Sequence, residues 1–138
     1  MLDKKIKELL VKQALEVREK AYSPYSDFCV GAALLCEDGE IFCGVNIENS
    51  SYGGTICAER SAICAAISQG KREFSAIAVV GCKMGETPDK ICTPCGICRQ
   101  FMSEFCGGDF AILTYDGQAV YENKLSELLP YAFGKDNL

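Results

Sequence analysis

Residues 28–82, FCVGAALLCEDGEIFCGVNIENSSYGGTICAERSAICAAISQGKREFSAIAVVGC, decide the fold of this 138-residue chain. They open on Phe28–Cys36, a continuous apolar run with the length and composition of a buried strand. Glu37-Asp-Gly-Glu40 is a turn signal and Ile41–Glu48 reads as the returning strand, so the two runs form a hairpin. Asn49–Gly54 is a loop by composition. Cys57–Gln69 is rich in alanine and closed by Gly70, which predicts a helix. Phe74–Cys82 follows as a second buried strand.

On the N-terminal side, Leu2, Ile6, Leu9, Leu10, Gln13, Ala14, Val17 and Ala21 recur at steps of three and four, the mark of an amphipathic helix. Tyr22-Ser-Pro24 ends it, because a residue before proline disfavours the helical region. On the C-terminal side, Lys83–Cys92 reads as a loop and Pro94 as the first residue of a helix that runs to Phe105, where Gly107-Gly108 stops it. Phe110–Tyr115 and Ala119–Tyr121 read as strands joined by Asp116-Gly117, and Ser126–Leu129 as a last helical turn before Pro130. This order predicts one α/β domain over residues 1–138, a mixed sheet with helices on its faces.

Hydrophobic residues at 49% and charged residues at 24% exclude a disordered, collagen-like or fibrous chain. Fourteen Lys+Arg against 19 Asp+Glu give a net charge of −5, which argues against a phosphate-backbone partner. No stretch reaches the roughly 18 apolar residues of a membrane span. Met1–Leu10 mixes charged with apolar residues and lacks the core of a signal peptide, so the expected location is cytoplasmic. There are ten Cys and no His. In a reducing compartment those thiols are small core residues or metal ligands. The missing histidine excludes His acid–base catalysis, Ser-His-Asp triads and His-containing metal sites.

The chemistry concentrates in Cys57-Ala58-Glu59 and Cys95-Gly-Ile-Cys98. Cys57 falls at the start of one helix, and Cys95 and Cys98 in the first turn of another, where free N–H groups and the helix dipole stabilise thiolate. Two helix starts aimed at one spot can hold three thiolates around zinc, leaving a fourth position open as in catalytic sites. Glu59 can point across the same cavity and shuttle protons. A lone C-x-x-C is a weak signal, and it also fits a redox pair or a closed structural zinc site with Cys92 as fourth ligand. Pro94 argues against the latter, since it separates Cys92 from the helix start.

The C-A-E…P-C-x-x-C pattern resembles the zinc-dependent nucleoside and nucleobase deaminases, whose mechanism is a standard worked example of zinc chemistry on a base. Tyr22–Leu34, Asn46–Asn49, Cys57–Arg60, Pro94–Gln100 and Leu128–Phe133 together are similar to cytidine deaminases of the small homotetrameric type, over essentially the whole chain. The resemblance implies a three-layer α-β-α sandwich with a mixed, mostly parallel sheet of about five strands. It implies one Zn²⁺ per chain on Cys57, Cys95 and Cys98, with Glu59 as proton shuttle in hydrolysis of cytidine and 2′-deoxycytidine to the uridines and ammonia, a step of pyrimidine salvage. Asn46 and Glu48 match positions that bond the sugar, Phe28 one that packs by the pyrimidine, and Ala58 one whose backbone N–H reads the base. Phe133 matches a ring supplied from a neighbouring subunit, so that the active sites of a homotetramer are shared. The implied partner is a small nucleoside, with no nucleic acid and no membrane.

Three thiolates on Zn²⁺ leave a net charge near −1, a poor Lewis acid, and two helix ends of about +0.5 each offset it. Arg60, three positions after Cys57, can donate to thiolate sulfur and tune the site further. Several residues have plainer readings. Arg60 fits a surface ion pair, Phe28 fits the core, and Asn46 and Glu48 fit a solvated strand face. Cys29, Cys36, Cys43, Cys64, Cys82, Cys92 and Cys106 read as buried hydrophobes or half-exposed thiols. Rival functions are a deaminase of a nucleoside-like antibiotic of the blasticidin S type, a polynucleotide-editing deaminase, a zinc-stabilised binding module without turnover, and a C-x-x-C redox protein.

Overall fold

The computed structural model describes residues 2–138, and Met1 lies outside them. Helix α1 spans Lys4–Val17, opened by Asp3, whose side chain accepts the Ile6 N–H at 2.9 Å. A single 3-10 turn, Arg18–Lys20, replaces the α-helix to Ala21 that the periodicity suggests. Strand β1 is Phe28–Cys36, as read from the sequence, and β2 is Ile41–Val45. Helix α2 spans Ala58–Ser68, β3 Phe74–Lys83 and α3 Gly96–Phe105. Strands β4 (Ala111–Tyr115) and β5 (Val120–Lys124) precede a one-turn helix α4, Leu125–Leu128.

Strand β2 ends three residues short of the expected Glu48. The reason is Asn46, whose Oδ1 accepts from the Val30 N–H at 2.8 Å while its Nδ2 donates to the Phe28 carbonyl at 2.9 Å. A side-chain amide thus takes over the edge of β1 where strand pairing would have continued. Helix α3 starts two residues later than Pro94, so Cys95 becomes its N-cap and Cys98 its third residue.

The sheet is mixed, with order β2-β1-β3-β4-β5. Strands β1 and β2 pair antiparallel, as do β1 and β3, while β3 and β4 are parallel and β4 and β5 antiparallel. Strands β2, β3 and β4 therefore run one way and β1 and β5 the other. Among the described residues β3 and β4 are the only parallel pair of neighbouring strands in the sheet, which corrects the mostly parallel sheet expected above. The physical reason is the opening hairpin: β1 inserts between β2 and β3 and separates two codirectional strands that a helical crossover joins.

Alternation along the strands feeds both faces. Ala32, Leu34, Ile77, Val79 and Ile112 pack with Ala62, Ile63 and Met102 beneath α2 and α3. Ala33, Leu35, Ala78, Val80 and Leu113 meet Leu10, Val11 and Ala14 of α1 on the other side. Three layers result. Two glycines set how closely the helices lie on the sheet: a Cβ on Gly31 would stand 2.0 Å from the Ala14 carbonyl oxygen, and one on Gly44 would stand 2.4 Å from the Ala62 nitrogen. Helix α2 closes in a Schellman arrangement, with Gly70 at φ +87° donating to the Ile67 carbonyl and Lys71 to that of Ala66. Helices α2 and α3 are the next α-helices after β2 and β3, each reached through a loop from the C-terminal end of its codirectional strand, the edge where open α/β sheets bind ligands.

Candidate metal centre

Cys57 is the N-cap of α2 and Cys95 the N-cap of α3, yet neither side chain caps its own helix. Their sulfurs turn toward one another instead, 3.7 Å apart. Cys98, buried in the first turn of α3, completes a group of three Sγ atoms that all lie within 4.8 Å of each other. The 3.7 Å separation compares with about 3.8 Å for the edge of a tetrahedron built on Zn–S bonds of about 2.3 Å. The donor set fits a zinc ion with three protein ligands. Cys92 is not among them: its Sγ packs over Gly81, where a Cβ would stand 2.9 Å from it and 2.9 Å from the Phe28 ring. Burial, with the nearby charges of Glu59 and Cys57, pushes the Cys92 thiol up to about 11.

Cys57 and Cys98 share charge unequally. Hydrogen bonding from Cys98, then from Arg60, lowers Cys57 to about 5, while Cys98 is raised by that same sharing and by burial. Arg60 Nη2 lies 3.6 Å from Cys57 Sγ and 3.5 Å from the Thr55 carbonyl oxygen, so it donates to the metal-site sulfur and to the segment leading into α2. Glu59 is 4% exposed. Burial pushes its carboxyl up to about 7, where it can both take up and release a proton near neutrality.

The remaining residues singled out from the sequence divide into three groups. Ala58 is the first residue of α2, beside Cys57, and the Phe28 ring borders Gly81 together with Cys92 Sγ. Asn46 and Glu48 are already engaged in holding backbone. Asn46 bridges Phe28 and Val30, as described, and Glu48 accepts from the Tyr25 N–H at 2.9 Å, the Ser26 N–H at 3.2 Å and the Ser26 hydroxyl at 2.5 Å. Those bonds hold the Glu48 carboxyl below its usual range, the Ser26 hydroxyl most of all. Glu48, Tyr25, Asn49, Tyr52 and Thr55 line a 290 Å³ cleft, joined to the thiols through the Thr55–Arg60 bond. Phe133 is 59% exposed, with its carbonyl held by Gln100 at 2.8 Å.

Ser26, Gly81 and Arg99 are the residues the sequence reading passed over. Only Arg99 carried a local signal, its position directly after Cys98 in a helix's first turn. Among the other cysteines, Cys29, Cys36 and Cys82 are buried small hydrophobes, burial pushes Cys106 up to about 12, and Cys64 is exposed. Among the described residues no helix is long and apolar enough to cross a membrane.

With that geometry in view, comparison with known proteins is specific. The family model for the cytidine and deoxycytidylate deaminase zinc-binding region matches residues 4–114. A cytidine deaminase from Sporosarcina psychrophila is 48% identical over 132 residues, covering 95% of this chain and 93% of its own. The crystal structure of cytidine deaminase from Burkholderia pseudomallei superposes with a TM-score of 0.83 at 44% identity, covering 91% of this chain and 98% of that one. A blasticidin-S deaminase from Bacillus cereus is more distant, 32% identical over 110 residues and 78% of each chain.

Proposed function

The chain belongs to the cytidine deaminase family, and from that premise we propose that it hydrolyses cytidine and 2′-deoxycytidine to uridine and 2′-deoxyuridine with release of ammonia. The observation that carries this reading is the three-thiol cluster at two helix starts with a buried carboxyl tuned to about 7 beside it. Cys57, Cys95 and Cys98 would hold one Zn²⁺ per chain, which when bound would supply the Lewis acidity that makes water a nucleophile at neutral pH.

The chain's own residues do the rest. Glu59 takes one proton from the attacking water and delivers it to the ring nitrogen next to C4. It then takes the second proton from the oxygen added at C4 and delivers it to the amine, which leaves as ammonia as the C4–N bond breaks and the C4 carbonyl forms. Its burial serves this role, because a carboxyl near 7 transfers protons in both directions at little cost. The Ala58 backbone N–H, at the dipole-positive start of α2, reads the base, and Phe28 packs against the pyrimidine ring. Asn46 and Glu48 bond the sugar hydroxyl with the lone pairs and N–H that backbone contacts leave free. Arg60 offsets the surplus negative charge of three thiolates through its contact with Cys57.

The catalytic unit is a single domain over residues 1–138, acting in the cytoplasm as a homotetramer whose sites are shared. Phe133, exposed near the C-terminal end, closes the site of a neighbouring subunit. Cytidine is favoured over an antibiotic nucleoside because the similarity to cytidine deaminases is greater in both identity and coverage than that to the blasticidin-S enzyme.

The test is the ultraviolet change on mixing protein with cytidine, run beside Glu59→Ala with zinc quantified in both. Conversion to uridine by the wild type, with the variant inactive yet holding one zinc per chain, is expected. Bound zinc with no turnover of either nucleoside overturns the substrate assignment, and blasticidin S as substrate then identifies the rival.

A further inference from the structure

Two side chains that directly follow a metal-site cysteine fasten the C-terminal end of the chain to α3. Arg99 Nε donates to the Pro94 carbonyl at 2.7 Å, and its Nη1 donates to the Leu128 carbonyl at 2.8 Å. Gln100 Nε2 donates to the Phe133 carbonyl at 2.8 Å. Pro94 is buried and immediately precedes Cys95, whereas Leu128 is the last residue of α4. One planar cation therefore stands between the segment that delivers Cys95 and the segment that carries Phe133. Its fork fixes the angle between two N–H groups, so the two carbonyls can be satisfied together only in one relative placement.

The tethered segment has little else to hold it beyond Leu129. Tyr131 stands in the left-handed region at φ +53° and is fully exposed, and Phe133 is 59% exposed. Leu128 and Leu129 pack against the core under α2 and α3, and the chain then runs over the surface. Within a single chain, few buried contacts and a strained residue give the strap of residues 130–133 low local stability, and the charged tether acts at its root, on Leu128.

We propose that Arg99 is a positioning residue that makes the placement of the metal-binding cysteines and the order of the C-terminal strap interdependent. The strap locks down when Pro94 holds Cys95 in its metal-binding position. By linkage, whatever fixes Cys95 and Cys98, a bound metal included, orders the strap, and an ordered strap tightens metal binding by the same factor. The consequence for turnover rests on the reading of Phe133 given above, while the coupling itself does not.

Hydrogen–deuterium exchange of residues 128–134, measured on the metal-loaded and the chelator-stripped protein, tests the coupling, together with the rate of metal transfer to a competing chelator. In the wild type, stripping the metal raises exchange about tenfold at the two bonded N–H groups of the segment, Leu129 on the Leu125 carbonyl and Gly134 on Asn137 Oδ1, the lower range for hydrogen bonds to a charged group. In Arg99→Lys, which cannot span both carbonyls, the strap exchanges at the stripped rate in both states and the metal leaves about tenfold faster. Strap exchange indifferent to the metal in the wild type, or metal release from Arg99→Lys at the wild-type rate, overturns the proposal. If Arg99→Lys does not fold, Gln100→Ala removes only the exposed tether. It loosens residues 131–134 in the metal-loaded state, and unchanged exchange there counts against the proposal. Phe133→Ala separates the two ideas, since an unchanged KM with unaltered metal release refutes the shared-site reading and leaves the coupling standing.

Discussion

Gly44→Ala tests whether the position of α2 on the sheet sets the metal centre. A Cβ at residue 44 would lie 2.4 Å from the Ala62 nitrogen, 2.7 Å from the Ala58 carbonyl oxygen and 2.9 Å from Ala62 Cα. All three are backbone atoms of α2, so no side chain can swing aside. Ordinary contact begins at 3.4 Å, so the first turns of α2 must retreat by about 1 Å. Overpacking of this kind costs about 1–3 kcal/mol. With a urea slope of about 2 kcal/mol per molar, the midpoint falls by about 0.5–1.5 M. The same retreat carries Cys57 and Glu59 away from Cys95 and Cys98, and a 1 Å misplacement of reacting groups costs about 10²-fold in rate, or about 2.7 kcal/mol on the barrier. Zinc content, urea midpoint and kcat/KM are measured together, with Gly53→Ala as control for stability because nothing stands within 4 Å of a Cβ there. A Gly44→Ala protein with an unchanged midpoint and kcat/KM within twofold of wild type refutes the claim that helix seating sets the site.

Other substitutions read different parts of the molecule. Arg60→Gln removes the donor to Cys57 Sγ and is expected to lower kcat with zinc retained, and Cys57→His in that background, carrying one fewer negative charge, to restore part of it; full activity in Arg60→Gln alone rules out charge tuning. Phe133→Ala is expected to raise KM without loss of zinc, and steady-state kinetics beside metal analysis decides it. Ile77→Ala empties a fully buried position in the central strand β3 and is expected to cost about 2–5 kcal/mol by urea unfolding, while a loss under 1 kcal/mol would show that the core closes over the gap.

Much of the fold was legible because its signals are short in range. The apolar run Phe28–Cys36 is a strand from its first residue to its last, and Gly70 closes α2 as its position suggested. Both features depend on a few neighbouring residues. The errors share a cause of the opposite kind. Strand β2 stops early because Asn46 finds the edge of β1, a partner sixteen residues away in sequence. Among the described residues the sheet has only one parallel pair of neighbouring strands because β1 lies between β2 and β3, and nothing local to β1 records which strands flank it.

The site divides the same way. Residue type, spacing and helix starts singled out Cys57, Cys95 and Cys98, since thiol chemistry and helix N-termini are properties of consecutive residues, and the resemblance of C-A-E…P-C-x-x-C to the deaminase pattern raised Glu59 above an ordinary helix-start carboxylate. Only the tertiary structure decided that Cys92 packs on Gly81 outside the cluster, that burial carries Glu59 to about 7, and that Arg99 joins Pro94 to Leu128. Exclusion from a metal site, desolvation of a carboxyl and a tether between distant carbonyls are relations among segments far apart in the chain. They come into being when the sheet and its helices close, and no window of sequence contains both ends of them.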